Sequence, residues 1–368
     1  MPSPRATIVG SDTQHIEGLS FVSGVQRVVR ETHGAMVDAL SPHGVDIVPV
    51  HTRPRPRSRE FRQNAYLAAD PVLERTPVSP DEVDAFLFLD LNPSADYALV
   101  HRELRRRRRP VVSLIYDIIP IIRPEWFETN ATRAFRVYVQ QMLAISDVIV
   151  VNSDQVRIDL LSLGWRVPGE IRVIPLGSSF RPRPPTPPRD DRLSLMYVST
   201  VEPRKGHDIL LGAFDLLRSA GLDVDLSIVG RKGWLADGIA ESITSHPDFG
   251  GRLRWHRNAD DLTMSSLARS STVGVFPSQV EGFGLFLEEG LSQGLKMVVS
   301  DIPVFRERAQ ENVFYAERTP QGLAKAIERA HSTPWTRLAR VRTMRDFGYD
   351  MADVVRETLS RSLGFEST

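Results

Sequence analysis

The 368-residue chain has no cysteine, and of its 46 basic residues only Lys205, Lys232, Lys296 and Lys325 are lysine. The missing thiols exclude disulfides, thiolate catalysis and cysteine-ligated zinc, and they fit a reducing compartment. No apolar run reaches the ~20 residues that span a bilayer. The opening MPSPRATIVGSD lacks the apolar core of a signal peptide. A cytoplasmic location is the expectation. The formal net charge is zero, so bulk charge gives no argument for a nucleic-acid partner. In a chain so biased toward arginine, a retained lysine is read as a position that wants a compact ammonium, and Lys205 is the best case. Hydrophobic content of 41% and charged content of 25% are ordinary for a globular protein. The length allows roughly two domains.

What the chain does have is concentrated in residues 272–301, TVGVFPSQVEGFGLFLEEGLSQGLKMVVSD. Residues 272–276 are β-branched and apolar, as a buried strand requires. Pro277 and Ser278 end that strand, and a loop leads to Gly282, Phe283 and Gly284. A helical pattern runs over residues 285–293, Gly294 stops it, and Lys296–Ser300 reads as another strand. Strand, glycine loop, helix, strand is half of a doubly wound α/β domain. Glu281 precedes the glycines and Glu289 follows eight positions later. Glycines let a ligand approach the backbone, and a helix start suits an anion such as a diphosphate. A carboxylate one turn in can accept hydrogen bonds from paired hydroxyls. An anion between two hydroxyl-bearing groups describes a nucleotide sugar.

The pair Glu281 and Glu289 resembles the E-x7-E motif of retaining glycosyltransferases of family four. The surrounding EGFGLFLEE and the tail SDIPVFRE (residues 300–307) resemble the same family, with Phe286 where it usually has proline. Glu288 is a competing second glutamate, and spacing favours Glu289. An ordinary β-α-β unit with solvated glutamates is the bland alternative. The resemblance implies GT-B: two Rossmann-like α/β domains facing each other across a cleft. Its implied boundaries are 1–180 for an acceptor-side domain, 181–192 for a proline-rich linker and 193–345 for the nucleotide-sugar domain. Residues 346–368 are the helix expected to cross back to the first domain.

In chain order, a strand at residues 6–10 leads through a loop to Gly24 and a helix over residues 25–40. This resembles the family's start, whose glycine approaches the donor diphosphate. Val45–Val50 and residues 85–91 read as strands, and residues 51–69 as an Arg- and Pro-rich extended loop. Five arginines at 105–109 read either as an anion- or lipid-facing run or as the solvated end of a helix. The segment YDIIP, with Asp117 after the strand Val111–Ile115, resembles an HDxxP motif with Tyr116 replacing histidine. Asp117 then orients the acceptor hydroxyl or takes its proton, or merely caps a turn. A helix over 132–146, a strand at Val148–Val151 and a capped helix from Gln155 follow.

The second domain opens with a strand at 195–199 and the loop TVEPRKGH, which resembles the family's phosphate loop with Thr200 in place of arginine. Arg204 and Lys205 are expected to hold the diphosphate; a solvated basic turn would read the same. Asp223 and Asp225 form a D-x-D that reads as solvated turn carboxylates, not a metal site. The candidate catalytic residues are therefore Asp117, Arg204, Lys205 and Glu281. Donor binding falls to Gly24, Arg204, Lys205, Glu281, Gly282, Phe283, Gly284 and Glu289. No metal and no cofactor is expected beyond the nucleoside diphosphate sugar as co-substrate. The implied reaction is transfer of a hexose or deoxyhexose to a hydroxyl acceptor with retention, in surface polysaccharide or glycoconjugate assembly. A lipid-linked oligosaccharide acceptor, with peripheral association at the inner membrane face, belongs to this expectation. Two other readings stay open: a catalytically impaired nucleotide-sugar-binding protein, and a non-transferase GT-B enzyme such as a sugar-nucleotide epimerase.

Overall fold

The structure is a computed structural model that describes residues 6–12, 24–50, 70–73, 75–91, 104, 106, 108–183, 192–336 and 341–364. The expectations for the loop at 51–69, for Arg105 and Arg107, and for most of the linker lie outside the described residues. The chain divides into two compact units. The first is Met1–Ile122, Glu128–Ser179 and Arg342–Thr368; the second is Arg123–Phe127 and Phe180–Val341.

The first unit holds a six-stranded parallel sheet of β1 (Thr7–Asp12), β2 (Val45–Val50), β3 (Ala85–Phe88), β4 (Val111–Ile115), β5 (Val148–Val151) and β6 (Glu170–Val173). Their spatial order is β2-β1-β3-β4-β5-β6. Its described helices are α1 (Gly24–Leu40), α2 (Ile119–Ile122), α3 (Thr129–Ile145) and α4 (Asp154–Ser162), and the unit closes with the C-terminal helix Met344–Leu363. Strands such as VIVV in β5 are apolar at every position because both sheet faces are covered. Ser153 caps α4 by accepting the Val156 N–H at 3.1 Å.

The second unit repeats the plan with β7 (Leu193–Val198), β8 (Val224–Val229), β9 (Leu253–His256), β10 (Val273–Phe276), β11 (Lys296–Ser300) and β12 (Val313–Ala316). The order is β12-β11-β10-β7-β8-β9, again all parallel. Read from the other edge, this is the dinucleotide-binding arrangement, and its strand order reverses between β7 and β10. The helices are α5 (His207–Ser219), α6 (Asp237–Thr244), α7 (Asp261–Ser270), α8 (Leu285–Ser292), α9 (Pro303–Arg306) and α10 (Pro320–Ser332), so the C-terminal helix is α11. Its core gathers Tyr197, Phe214, Phe276, Leu287, Met297 and Phe305. The α/β class expected from the sequence is the class observed.

Three local expectations are corrected. The strand expected over 85–91 stops at Phe88, because the next two carbonyls turn to side chains: Tyr116 donates to Leu89 O at 2.8 Å and Tyr138 to Asp90 O at 3.2 Å. The described part of the first helix already includes Gly24. Asp223 and Asp225 are not simply solvated. Asp225 lies inside β8, and both carboxylates pair with Arg192 (3.2 and 3.1 Å) and with Arg252. Opposite charges at the strand entrance hold them there. From the arginine run, Arg109 donates to the carbonyls of Pro80 and Asp81 at 2.8 and 2.9 Å, a structural use of one of its members. Among the described residues, no helix is long and apolar enough to cross a membrane.

Candidate active site

In open α/β sheets, ligands bind beyond the carboxyl ends of the strands where the order reverses. In the second unit that point is served by the loops after β7 and β10. They carry Arg204 with Lys205, and Glu281 with the Gly-Phe-Gly. The loops lie against each other. Gln279 N–H donates to Arg204 O at 2.8 Å. Gly206 has φ +69°, and a Cβ there would stand 2.3 Å from Pro277 O, so only glycine permits the approach. Tyr197 fixes the first loop from below by donating to Lys205 O at 2.7 Å.

The charged groups form one network. Lys205 Nζ is 2.6 Å from Glu281 Oε1. Arg204 reaches Glu202 Oε1 at 2.8 Å, Val280 O at 3.2 Å and Glu281 Oε2 at 3.5 Å. Lys205 and Glu281 are each 8% exposed, so their Coulomb interaction is little screened. Burial works to raise the Glu281 carboxyl, but Lys205 and Arg204 overcome it and hold the group below the ordinary carboxylate range. Burial and the neighbouring Arg204 push the Lys205 ammonium down, against the pull of Glu281. The network is thus two cations faced by two carboxylates, those of Glu202 and Glu281.

Beyond Glu281, Gly282 and Phe283 are buried, and Gly284 adopts φ +80° as it caps α8. A Cβ at Gly284 would lie 2.6 Å from Phe305 Cε1 and 2.9 Å from Phe276 Cε1. Phe286, the residue replacing proline, packs edge-on against Phe276 with centroids 5.8 Å apart. Of the two competing glutamates, Glu288 faces Arg308 at 3.4 Å. Glu289 is buried on the helix immediately after it.

Gly24 and Asp117 belong to the first unit. Gly24 opens α1. Asp117 Oδ1 accepts the Ile119 N–H at 3.0 Å, so it caps the turn into α2. Tyr116 is a buried phenol whose ionisation is pushed well up by burial and by Asp90. Its hydroxyl proton is engaged in the bond to Leu89 O. Thr200, in place of arginine, faces Gly233: a Cβ on that glycine would lie 2.7 Å from Thr200 Cγ2.

Residues 192–333 match the family described as glycosyl transferases group 1. The second unit carries a glycosyl transferases group 1 domain. The chain is 29% identical over 335 residues to the serotype-specific mannosyltransferase WbdA of Escherichia coli, covering 83% of this chain and 40% of that protein. It is 37% identical over 120 residues to a phosphatidyl-myo-inositol mannosyltransferase of Mycolicibacterium smegmatis, covering 32% of this chain and 30% of the relative. The chain thus spans about two fifths of the length of that Escherichia coli mannosyltransferase. In fold it is similar to Anabaena Alr3699/HepE in complex with UDP and glucose (TM-score 0.64, 17% identity, 98% and 99% of the two chains). It is similar also to a sucrose-phosphate synthase from Thermosynechococcus elongatus (TM-score 0.65, 17% identity, 98% of each). The fold is GT-B.

Within residues 192–333, sequence reasoning singled out Arg204, Lys205, Glu281 and the glycine loop, which the structure brings together. It passed over Glu202, which the motif TVEPRKGH contains, and His207, which closes that motif. It also passed over Arg308, one residue beyond SDIPVFRE. All three are noticeable only through burial: Glu202 and His207 are 1% exposed, and the Arg308 side chain lies against the glycine loop.

Proposed function

We propose that the chain is a retaining glycosyltransferase that moves a hexose or deoxyhexose from a nucleoside diphosphate sugar to a hydroxyl acceptor, in polysaccharide or glycoconjugate assembly. The observation that carries this reading is the meeting of Arg204 and Lys205 with Glu281 and the α8 N-terminus at the strand-order reversal. Two cations and a helix start are what a departing diphosphate needs. Arg204 binds two oxygens and Lys205 acts as a point charge. Glu281 holds Lys205 in place and reaches the donor through that ammonium. Glu289 is assigned to the ribose hydroxyls. No metal is needed where these groups carry the charge of the leaving group, and no protein nucleophile is assigned. Asp117 is the acceptor-side candidate, its Oδ1 engaged as a cap. The mannosyltransferase relatives favour mannose as the sugar. A lipid-linked acceptor at the inner membrane face is part of the same proposal, and vesicle co-sedimentation tests it.

The test is a thermal-shift screen with GDP, UDP and dTDP on wild type, Lys205→Ala and Glu289→Ala. One diphosphate is expected to raise the wild-type midpoint by mass action, with the shift lost in both variants. With the matching donor sugar, turnover is expected to fall by about two orders of magnitude or more in each variant. Product NMR should show the donor's anomeric configuration retained. Diphosphate binding without turnover on any acceptor would favour the catalytically impaired reading, which rests on Tyr116 and Thr200.

A further inference from the structure

Arg308 follows α9 and extends its guanidinium back to the glycine loop. Its side chain is 11% exposed. Nη2 donates to the carbonyl of Phe283. Nη1 points to Glu288 Oε1 at 3.4 Å, and Nε reaches Val304 O at 3.4 Å. The guanidinium carbon lies 3.9 Å from the centroid of the Phe283 ring. One side chain therefore holds both flanks of Gly284, the carbonyl before it and a carboxylate in the first turn after it.

The held carbonyl belongs to the peptide that carries the Gly284 N–H. In a planar trans peptide, C=O and N–H point in opposite directions, and the chain has no cis peptide bond among its described residues. A grip on Phe283 O consequently fixes where the Gly284 N–H points. A glycine at φ +80° has little intrinsic preference to hold that orientation. The aromatic rings of Phe276 and Phe305 limit the space around its Cα but offer the peptide no hydrogen bond. We propose that Arg308 is a positioning residue for the donor diphosphate, locking the Phe283–Gly284 peptide so that the Gly284 N–H and the α8 N-terminus are presented ready for the anion. Glu288 serves to hold Arg308 in that place, which gives this buried glutamate a role distinct from that of Glu289. The inference rests on the donor-site reading above and deepens it.

The experiment measures the unliganded melting midpoint and the Kd for whichever of GDP, UDP and dTDP stabilises wild type. The variants are Arg308→Met, Arg308→Lys and the double variant Glu288→Gln with Arg308→Met. Arg308→Met takes the arginine partner from the buried Glu288 carboxylate and is expected to lower the midpoint. The double variant removes both charges and is expected to recover much of that loss, yet to bind the diphosphate at least about tenfold more weakly than wild type. Arg308→Lys keeps a charge for Glu288 without the planar fork that reaches Phe283, and is expected to fold and to bind about tenfold more weakly as well. Wild-type affinity in the double variant or in Arg308→Lys overturns the proposal, because Arg308 would then only neutralise Glu288. If wild type itself binds none of the three diphosphates, the donor-site reading fails and this inference falls with it, an outcome separate from the preceding one.

Discussion

A single ammonium, that of Lys205, couples protons to ligand at the proposed site. In the free protein its pKa is lowered by burial and by Arg204. A bound diphosphate adds negative charge and raises it again. Binding therefore takes up a proton at pH values above the free-protein pKa of Lys205, and affinity should fall as pH rises through it toward the ordinary lysine range. Calorimetry in buffers of different ionisation enthalpy between pH 7 and 10 reads the proton uptake; Lys205→Arg should abolish it. His207, the next side chain but one, has the opposite character. Burial and Lys205 push it down to about 3, and neither ring nitrogen has a hydrogen-bond partner among the described residues. A folded-state pKa below the unfolded value means that stability is complete above about 6.5 and declines as pH falls toward 3. The slope from this group is about 1.4 kcal/mol per pH unit across that window. His207→Phe should flatten the acid limb of a stability–pH curve from chemical denaturation. Lys205 was legible in the sequence because lysine is scarce. His207 and Arg308 were not, because burial is not written in the residue type: His207 packs on Tyr197 of β7, and Arg308 reaches Phe283 and Glu288, 25 and 20 residues back.

At the scale of the element, the glycine loop and α8 behave as one piece. Gly284→Ala should both strain a φ of +80° and drive a methyl into Phe305 and Phe276. The expected result is a midpoint lowered by several degrees, with diphosphate binding lost; a folded variant with wild-type Kd would contradict the placement of the anion at this helix start. Central elements were readable because β-branched runs such as VIVV and KMVVS suit strands covered on both faces. Gly294 was readable as a stop, and it adopts φ +82° with Leu295 N–H bonded to Gly290 O at 2.9 Å. The early end of β3 was not, since it depends on Tyr116 and Tyr138 reaching over from other elements. Likewise Asp225 was read as a turn because its two arginine partners lie 33 and 27 residues away.

At the scale of the whole molecule, the first unit is built from both ends of the chain. Its α11 buries Phe347, Met351, Val354, Val355 and Leu359, and packs closely on α1 through Gly348, where a Cβ would lie 2.4 Å from that of Ala35. Truncation after Val341 should therefore expose α1 and unfold the first unit, while residues 180–341 keep their own core. Circular dichroism with limited proteolysis reads this as loss of N-terminal protection alone; a protected N-terminal fragment would show that α11 is dispensable. The repeat of two α/β halves was legible in the alternation of strands and helices. That α11 completes the first unit came only with the family resemblance, since an amphipathic helix does not state which partner it covers.

The backbone joins where it leaves and re-enters the first unit. Ser178 N–H donates to Arg342 O, and Met344 N–H to Ser178 O, each at 2.9 Å, beside Gly177, where a Cβ would strike Thr343. On a ribosome this imposes a timetable. The second unit has its whole sequence available once Val341 has emerged, whereas the first, begun earlier in the chain, lacks its closing helix until Met344–Leu363 has followed. Of the two units, the one begun earlier is thus completed later, and in the interval the α1 face that α11 will cover is left open.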